Sequence, residues 1–123
     1  MKVGIGFGGG PDWERSAQFV QQAEKLGVDS VWTAETWGFD AATPIGYLAA
    51  KTKTINLGTG ILQLGSRSPA MMAMTSMALN SMSGGRFTLG LGASGPQVVE
   101  GWHGVPFAHT LPRIRDAVNI VRM

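Results

Sequence analysis

Short apolar segments that alternate with helical patterns constrain the fold of this chain more than any other feature. Because parallel strands need long crossover connections, such alternation predicts a parallel sheet covered by helices. The predicted strands are Lys2–Phe7, Asp29–Thr33, Thr54–Gly60 and Phe87–Gly92. The predicted helices run from Asp12 to about Leu26, over Ala42–Lys51, from Ser68 to about Met82, and over Leu111–Met123.

Two architectures fit this alternation. One is an open doubly wound sheet, as in a complete flavodoxin-like domain, and the other is part of a (β/α)8 barrel. A whole barrel takes about 250 residues, whereas this chain has 123. The last helical stripe runs into Arg122 and Met123 without a cap, glycine or proline. We therefore expect residues 1–123 to form one partial barrel domain of about four βα units, with the C-terminal half absent.

The composition excludes several classes of function. The chain has no cysteine and only two histidines, so thiolate chemistry and a metal site are not expected. The net charge is only +2, and scattered basic residues do not form the stripe typical of nucleic-acid binding. No apolar run approaches the roughly 20 residues that cross a membrane. We expect a cytoplasmic protein that acts on a small molecule.

The glycine-rich segment Gly90–Gly95 follows the fourth predicted strand. Ligands of parallel α/β proteins bind at that end of a strand. The segment matches the dinucleotide fingerprint G-x-G-x-x-G, and Asp116 lies about 20 residues on. However, Pro96 follows directly, and Gly101 and Gly104 interrupt any helix beyond it. The segment therefore predicts a ligand-binding loop without the dinucleotide motif.

Four segments of the chain, taken in order, resemble one family. They are Ala23–Trp32 (AEKLGVDSVW), Glu35–Gly38 (ETWG), Leu57–Ile61 (LGTGI) and Ser83–Gly104, which holds SGGRF, GLG and SGPQVVEGWHG. Together they are similar to the first half of the luciferase-like oxidoreductases, which use the deazaflavin F420 or FMN. The last block is more similar to the F420 branch. The family fold is a (β/α)8 barrel, so the resemblance favours the partial barrel.

This resemblance implies an oxidoreductase that moves a hydride between F420 and an unidentified small organic substrate. An FMN-dependent luciferase-like monooxygenase is the first alternative. A non-catalytic fragment or assembly module that needs its missing half is the second. In all three cases the isolated chain is expected to lack activity.

The resemblance also implies a cofactor site. In the family the third strand ends in a bulge with a non-prolyl cis peptide, which backs the deazaflavin ring. The matching bond joins Gly60 to Ile61, and Leu62 and Gln63 follow beside the ring. An ordinary trans strand end is the alternative. The loop after the fourth strand contacts the ring and its tail, and its matching residues are Ser94, Gly95, Gln97 and Val98.

Three further residues are candidates for the chemistry. Glu35 directly follows a strand, so it is placed to hydrogen-bond the ring or to act as acid or base. Its alternative is a structural role as partner of Arg86 or of a backbone amide. His103 is a second catalytic candidate, with a structural loop histidine as the alternative. Trp37 is expected to form a wall over the substrate or to pack in the core.

The chain departs from the relatives that oxidise sugar phosphates. Those relatives carry an acidic residue where Pro96 stands and a histidine about where Thr36 stands. Because neither acid–base group is present at its matching place, sugar phosphates are not expected as substrates.

The predicted helix 68–82 carries five methionines: Met71, Met72, Met74, Met77 and Met82. A helix that is apolar nearly all round must be buried on several sides. In the resembled family, helices of this half form a dimer interface. We therefore expect a homodimer that forms through this helix.

Overall fold

The computed structural model describes residues 1–123, which form six strands and five helices. The strands are β1 (Gly4–Gly6), β2 (Ser30–Thr33), β3 (Asn56–Thr59), β4 (Leu62–Gln63), β5 (Phe87–Thr88) and β6 (Leu91–Gly92). The helices are α1 (Trp13–Lys25), α2 (Ala42–Lys51), α3 (Pro69–Met82), α4 (Pro96–Val99) and α5 (Thr110–Val121). The main sheet has the order β1-β2-β3-β5 and is parallel throughout. The predicted alternation of strands and helices is confirmed.

Side-chain caps start helices α1 and α3, and a glycine follows the end of α1. The Asp12 carboxylate accepts a hydrogen bond from the Arg15 amide at 2.9 Å and starts α1. Gly27, just beyond α1, has a φ of +82°, a conformation that favours glycine. The Ser68 hydroxyl accepts from the Met71 amide at 3.2 Å and starts α3.

The prediction of one continuous fourth strand is wrong. Residues 87–92 split into β5 and β6, because Gly90 sits against the Thr59 carbonyl so closely that a Cβ would lie 2.0 Å from its oxygen. The Thr59 hydroxyl donates to the Gly90 carbonyl at 2.9 Å and accepts from the Gly90 amide at 3.1 Å. These side-chain bonds add to the backbone bond that the Leu62 amide donates to the Gly90 carbonyl at 2.8 Å.

Beyond the interruption, the third and fourth strands pair again. β4 pairs with β6 in parallel, with Leu62 opposite Leu91 and Gln63 opposite Gly92. The predicted third strand ends at Gly60 and does not include β4. No helix is predicted from Gln97 onward, whereas α4 forms a single turn there. The other strands are shorter than predicted at their ends, and α5 is one residue longer at its start and two shorter at its end.

The core lies between the sheet and helices α1, α2 and α3. Its buried members include Val20, Val31, Ile45, Leu48, Ile55, Leu57 and Leu79. The opposite face of the sheet is open and carries the Trp32 indole. A Cβ on Gly4 or Gly58 would lie 3.1 Å or 2.3 Å from that ring. The missing side chains of the two glycines therefore leave room for the indole on this face.

Arg86 joins α2 to the sheet. Its guanidinium donates to the carbonyl oxygens of Ala49, Thr52 and Ile55 at 2.8–3.2 Å, and its Nε donates to Ser83 at 2.7 Å. Because the last carbonyls of a helix lack intrahelical partners, a planar cation with five donors stabilises the end of α2.

Helix α3 presents two different faces. Met72 is buried and packs with Leu64 and Ala117, which joins α3 to α5. The other methionines of the helix are exposed by 49–73%: Met71, Met74, Met77 and Met82. The methionine-rich helix is therefore covered on one side and open on the other. None of the five helices combines the length and apolarity needed to cross a bilayer.

Glu24, in the last turn of α1, makes a prediction about pH. Glu24 accepts hydrogen bonds from the amides of Lys53, Thr54 and Ile55 at 2.6–2.9 Å and from the Thr54 hydroxyl at 3.1 Å. Burial opposes ionisation, but these bonds outweigh it and lower the pKa of Glu24 from 4.5 to about 2. A lowered folded-state pKa contributes stability above the ordinary pKa, and that stability is lost as protonation proceeds.

We expect the free energy of unfolding of the full-length protein to fall as the pH drops from about 4.5 to about 2. Urea denaturation across this range measures it. Glu24→Gln should flatten this part of the profile, whereas Asp116→Asn on the exposed side of α5 should leave it unchanged. Identical profiles for Glu24→Gln and the parent would contradict the assignment.

Candidate active site

Three loops meet at the carboxyl ends of β2, β3 and β6. The peptide between Gly60 and Ile61 is cis, as the sequence analysis expected. The Ile61 carbonyl accepts from the Glu35 amide at 3.3 Å, which joins the loop after β2 to the segment between β3 and β4. A Cβ on Gly92 would lie 2.8 Å from the Ile61 side chain, so β6 packs closely against the same segment.

The Glu35 carboxylate is buried and binds donors from two loops. Its Oε1 accepts from the Ala41 amide at 3.2 Å and from the Arg67 guanidinium. Its Oε2 accepts from the Gln63 amide at 3.0 Å and from the Ser66 hydroxyl at 3.4 Å. The Ser66 hydroxyl also lies 3.1 Å from the Gln63 carbonyl, so the two backbone amides and Arg67 are the donors that hold this carboxylate in place.

The cation that faces Glu35 is Arg67, so Arg86 as its alternative partner is wrong, whereas the alternative of a backbone amide partner is confirmed by Ala41 and Gln63. Arg86 is used at the end of α2, as described above. Arg67 also reaches Asp40, with Nη2 3.5 Å from Oδ1. Burial opposes ionisation of Asp40, but the Thr43 amide, at 2.8 Å, and the Arg67 charge outweigh it and lower the pKa of Asp40. Arg67 carried no motif signal, because its role depends on a partner 32 residues away.

A cavity of about 200 Å³ opens beside this ion pair. Eight residues line it, and only one of them is hydrophobic: Glu35, Gly38, Phe39, Asp40, Gln63, Ser66, Arg67 and His103. Two carboxylates and one guanidinium give its wall a formal charge of −1 when His103 is neutral. Both predicted catalytic residues, Glu35 and His103, therefore line one polar cavity.

Gln63 and His103 form a hydrogen-bonded pair in the wall of this cavity. The two Nε2 atoms are 2.8 Å apart. An amide nitrogen can only donate, so with the Gln63 amide in this orientation the imidazole accepts at Nε2. Gln63 is only 2% exposed, and its Oε1 is a buried polar side-chain atom with no hydrogen-bond partner. The resemblance places Gln63 beside the cofactor, but the hydrogen bond between Gln63 and His103 was not predicted.

The glycine-rich loop after β6 forms a turn that starts α4. Ser94 has a φ of +60°, and the Gly95 carbonyl accepts from the amides of Val98 and Val99 at 3.1 and 2.9 Å. The Gln97 side chain folds back, with Oε1 3.1 Å from the position of a Cβ on Gly95. Ser94 and Gly95 are half-buried and Gln97 is exposed, whereas the side chain of Val98 is buried. Only the first three present atoms to a ligand here.

Two tryptophans from different loops meet at the surface. The rings of Trp37 and Trp102 are 5.8 Å apart and nearly perpendicular at 79°. Both side chains are more than half exposed, so the alternative of core packing for Trp37 is wrong. The pair forms an apolar surface at the loops that follow β2 and α4.

The predicted residues thus fall into two groups. Glu35 and His103 line the cavity together with Gln63. The loop residues Ser94, Gly95 and Gln97 lie outside the cavity lining, at the end of β6. Leu62 is fully buried, so the bulge presents Gly60 and Ile61 to the open side.

Comparison with known proteins gives a consistent assignment. A family described as luciferase-like monooxygenase matches residues 2–123. A protein of Mycobacterium tuberculosis named putative coenzyme F420-dependent oxidoreductase is 46% identical over 99% of this chain and 36% of its own length. The 5,10-methylenetetrahydromethanopterin reductase of Archaeoglobus fulgidus is 35% identical over 99% of this chain and 37% of its own length. The chain spans little more than a third of these curated relatives.

Solved structures show the same fold. The monooxygenase RslO1 from Streptomyces bottropensis superimposes with a TM-score of 0.87 and 25% identity. The match covers 99% of this chain and 42% of that one. The predicted fold class, parallel βα units that form the N-terminal half of a (β/α)8 barrel, is confirmed.

The buried ion pair at this site makes a prediction about stability. Arg67→Met removes the cation that faces Glu35, whose side chain is 4% exposed. A buried charge left unpaired costs about 3–5 kcal/mol, so we expect a loss of that order in urea denaturation of the full-length protein. Adding Glu35→Gln should recover much of it, because the charge that needs a partner is then gone. Simple additivity of the two single losses would contradict this coupling.

Proposed function

The chain belongs to the luciferase-like monooxygenase family, and on that premise we propose that it is part of an oxidoreductase that uses the deazaflavin F420. The enzyme transfers a hydride between F420 and a small organic substrate, and residues 1–123 are the N-terminal portion of its barrel. The observation that carries the proposal is the meeting of the Gly60-Ile61 bulge, the Ser94-Gly95 loop and the polar cavity at the carboxyl edge of one parallel sheet. The 46% identical relative, named for F420, supports the choice of cofactor.

The residues at this edge fit a flat ring with polar atoms on its rim. A Cβ on Gly6 or Gly8 would meet nothing within 4 Å, and one on Gly60 only the Trp32 ring at 3.8 Å. These glycines leave an open, smooth surface beside the bulge. The unpartnered Oε1 of Gln63 supplies an acceptor next to it. A flat, partly polar ring is the ligand shape that such a surface accommodates.

We assign the bulge residues Gly60 and Ile61 to the support of the ring, with the buried Leu62 packed behind them. The glycine-rich loop would hold the edge and tail of the ring through Ser94, Gly95 and Gln97, while the buried Val98 side chain supports the loop. When bound, F420 supplies the hydride chemistry, and the protein supplies binding, orientation and exclusion of water.

The cavity residues take different roles in this proposal. Glu35 orients the loops, because its donors hold it in place and Gln63 is one of them. His103 is the group that moves a proton, since only one of its ring nitrogens has a hydrogen-bond partner. Trp37 is exposed and contacts Trp102 edge to face, and it covers the apolar part of the substrate.

An FMN-dependent luciferase-like monooxygenase is the second candidate. The family description and the 25% identity to the monooxygenase RslO1 support it. The two candidates share the barrel and the bulge, so the cofactor that binds to the full-length protein separates them.

A homodimer through α3 is the assembly that we propose. The exposed methionines of α3 form an apolar face, and methionine side chains adapt to irregular partner surfaces. No acidic or basic residue lies in the first or last turn of this helix, which also favours contact with another protein surface over contact with water.

Cofactor binding tests the proposed function. We expect the full-length protein to quench or shift the fluorescence of added F420 saturably and to bind FMN more weakly. Residues 1–123 alone should show no F420-linked turnover, because an open four-stranded sheet leaves two unpaired edges and an uncovered Trp32 face. A yellow full-length protein that retains FMN would favour the second candidate. Turnover by a soluble monomer of residues 1–123 would refute the partial-barrel proposal.

Substitution of an exposed methionine tests the dimer. Met74 is 63% exposed on α3, and Met74→Lys places a charge in the proposed interface. We expect the sedimentation coefficient of the full-length protein to fall from the dimer toward the monomer value. Phe19→Lys on α1, where Phe19 is 59% exposed, is the matched control and should stay dimeric. A protein that is monomeric before and after substitution would disprove the dimer.

A further inference from the structure

We propose that Gln63 reads the pyrimidine edge of the deazaflavin by accepting a hydrogen bond from its imide N–H; this inference rests on the proposed function. Gln63 is 2% exposed and lines the cavity beside the bulge. Its carbonyl oxygen is a buried atom without a partner. A buried acceptor without a donor is costly, and native proteins keep few of them.

The other polar atoms of Gln63 are already used. Its main-chain amide donates to Glu35 Oε2 at 3.0 Å, and its side-chain amide nitrogen donates to His103 Nε2 across 2.8 Å. These two bonds fix both the backbone and the direction of the side chain. The free oxygen is therefore a positioned acceptor that lacks only a donor from a bound molecule.

The size and charge of the cavity restrict the group that enters. A volume of about 200 Å³ is below the roughly 300–1,000 Å³ of a pocket that encloses a whole drug-sized ligand. The cavity therefore admits only the edge of a ring system. Glu35 and Asp40 against Arg67 leave a formal charge of −1, which disfavours a phosphate or carboxylate. A neutral N–H donor fits, and the phosphate tail of F420 does not.

The pyrimidine ring of a deazaflavin offers such a donor. Its imide N–H lies between two carbonyl groups at one end of the tricycle, away from the tail. The bulge at Gly60-Ile61 precedes Gln63 by two residues, and in this proposal the ring lies against the bulge with its pyrimidine edge toward Gln63. An amide oxygen is a suitable acceptor for this N–H.

Affinity measurements on the full-length protein test this role. Gln63→Met keeps the side-chain length but removes the acceptor, so we expect F420 to bind roughly tenfold more weakly. Gln21→Met is the matched control. Gln21 lies on α1, outside the cavity lining, and its side chain donates to the Lys51 carbonyl at 2.7 Å. Its substitution should leave F420 affinity unchanged. Equal affinity in Gln63→Met and the parent would overturn the inference.

Removal of the donor from the ligand makes the same test without changing the protein. We expect the parent to bind 5-deazariboflavin at least tenfold more tightly than its N3-methyl derivative, and Gln63→Met to discriminate much less. If the parent binds neither F420 nor 5-deazariboflavin, both the proposed function and the role of Gln63 are wrong. If the parent binds both deazariboflavins equally, only the Gln63 role fails.

The tautomer of His103 is a readout independent of affinity. With Gln63 donating to Nε2, the ¹⁵N spectrum should show His103 protonated on Nδ1, and Gln63→Met should release that preference. A parent protein with His103 protonated on Nε2 would mean that the amide oxygen already has a donor. That result would overturn the inference even where Gln63→Met fails to fold.

Discussion

The buried pair of Glu35 and Arg67 is the interaction on which the site depends. Glu35 lies near the start of the connection that follows β2, and Arg67 precedes α3, so one ion pair joins two crossover loops at the carboxyl edge of the sheet. The carboxylate also accepts from the backbone amides of Ala41, before α2, and of Gln63 in β4. Because each of these donors needs an acceptor away from water, the loops hold one arrangement. The polar cavity exists because of that arrangement.

Interruptions of the strands give the site its shape. The third and fourth strands pair, separate at Gly60-Ile61 and Gly90, and pair again as β4 and β6. At the gap, the Thr59 hydroxyl bonds both backbone groups of Gly90. The Gly90 carbonyl also accepts from the Leu62 amide at 2.8 Å, so pairing resumes directly after the bulge. The structure therefore adds specific side-chain bonds to the backbone pairing where the ligand is proposed to bind.

The two faces of the main sheet differ in how they are covered. The outer face of the sheet buries a continuous apolar core against three helices, and Arg86 and Glu24 satisfy backbone groups at the ends of α2 and β3. On the inner face the Trp32 ring lies over Gly4 and Gly58, and this face has no covering layer. A solved structure more than twice as long, the monooxygenase RslO1, shares this fold.

The sequence by itself determined the fold class, the family and most helix ends, because these depend on local signals. Apolar periodicity, Asp12 and Ser68 as caps, and the glycine-rich motifs act over a few residues, and each can be read without knowing the rest of the chain. The position of the cis peptide came from the resemblance to the family, and Glu35 and His103 were separate candidates whose meeting in one cavity only the structure showed. Only the tertiary structure decided the partner of Glu35, the break at Gly90 and the free oxygen of Gln63. Those features arise from groups about 30 to 40 residues apart, whose meeting depends on how the loops pack and leaves no periodic trace in the sequence.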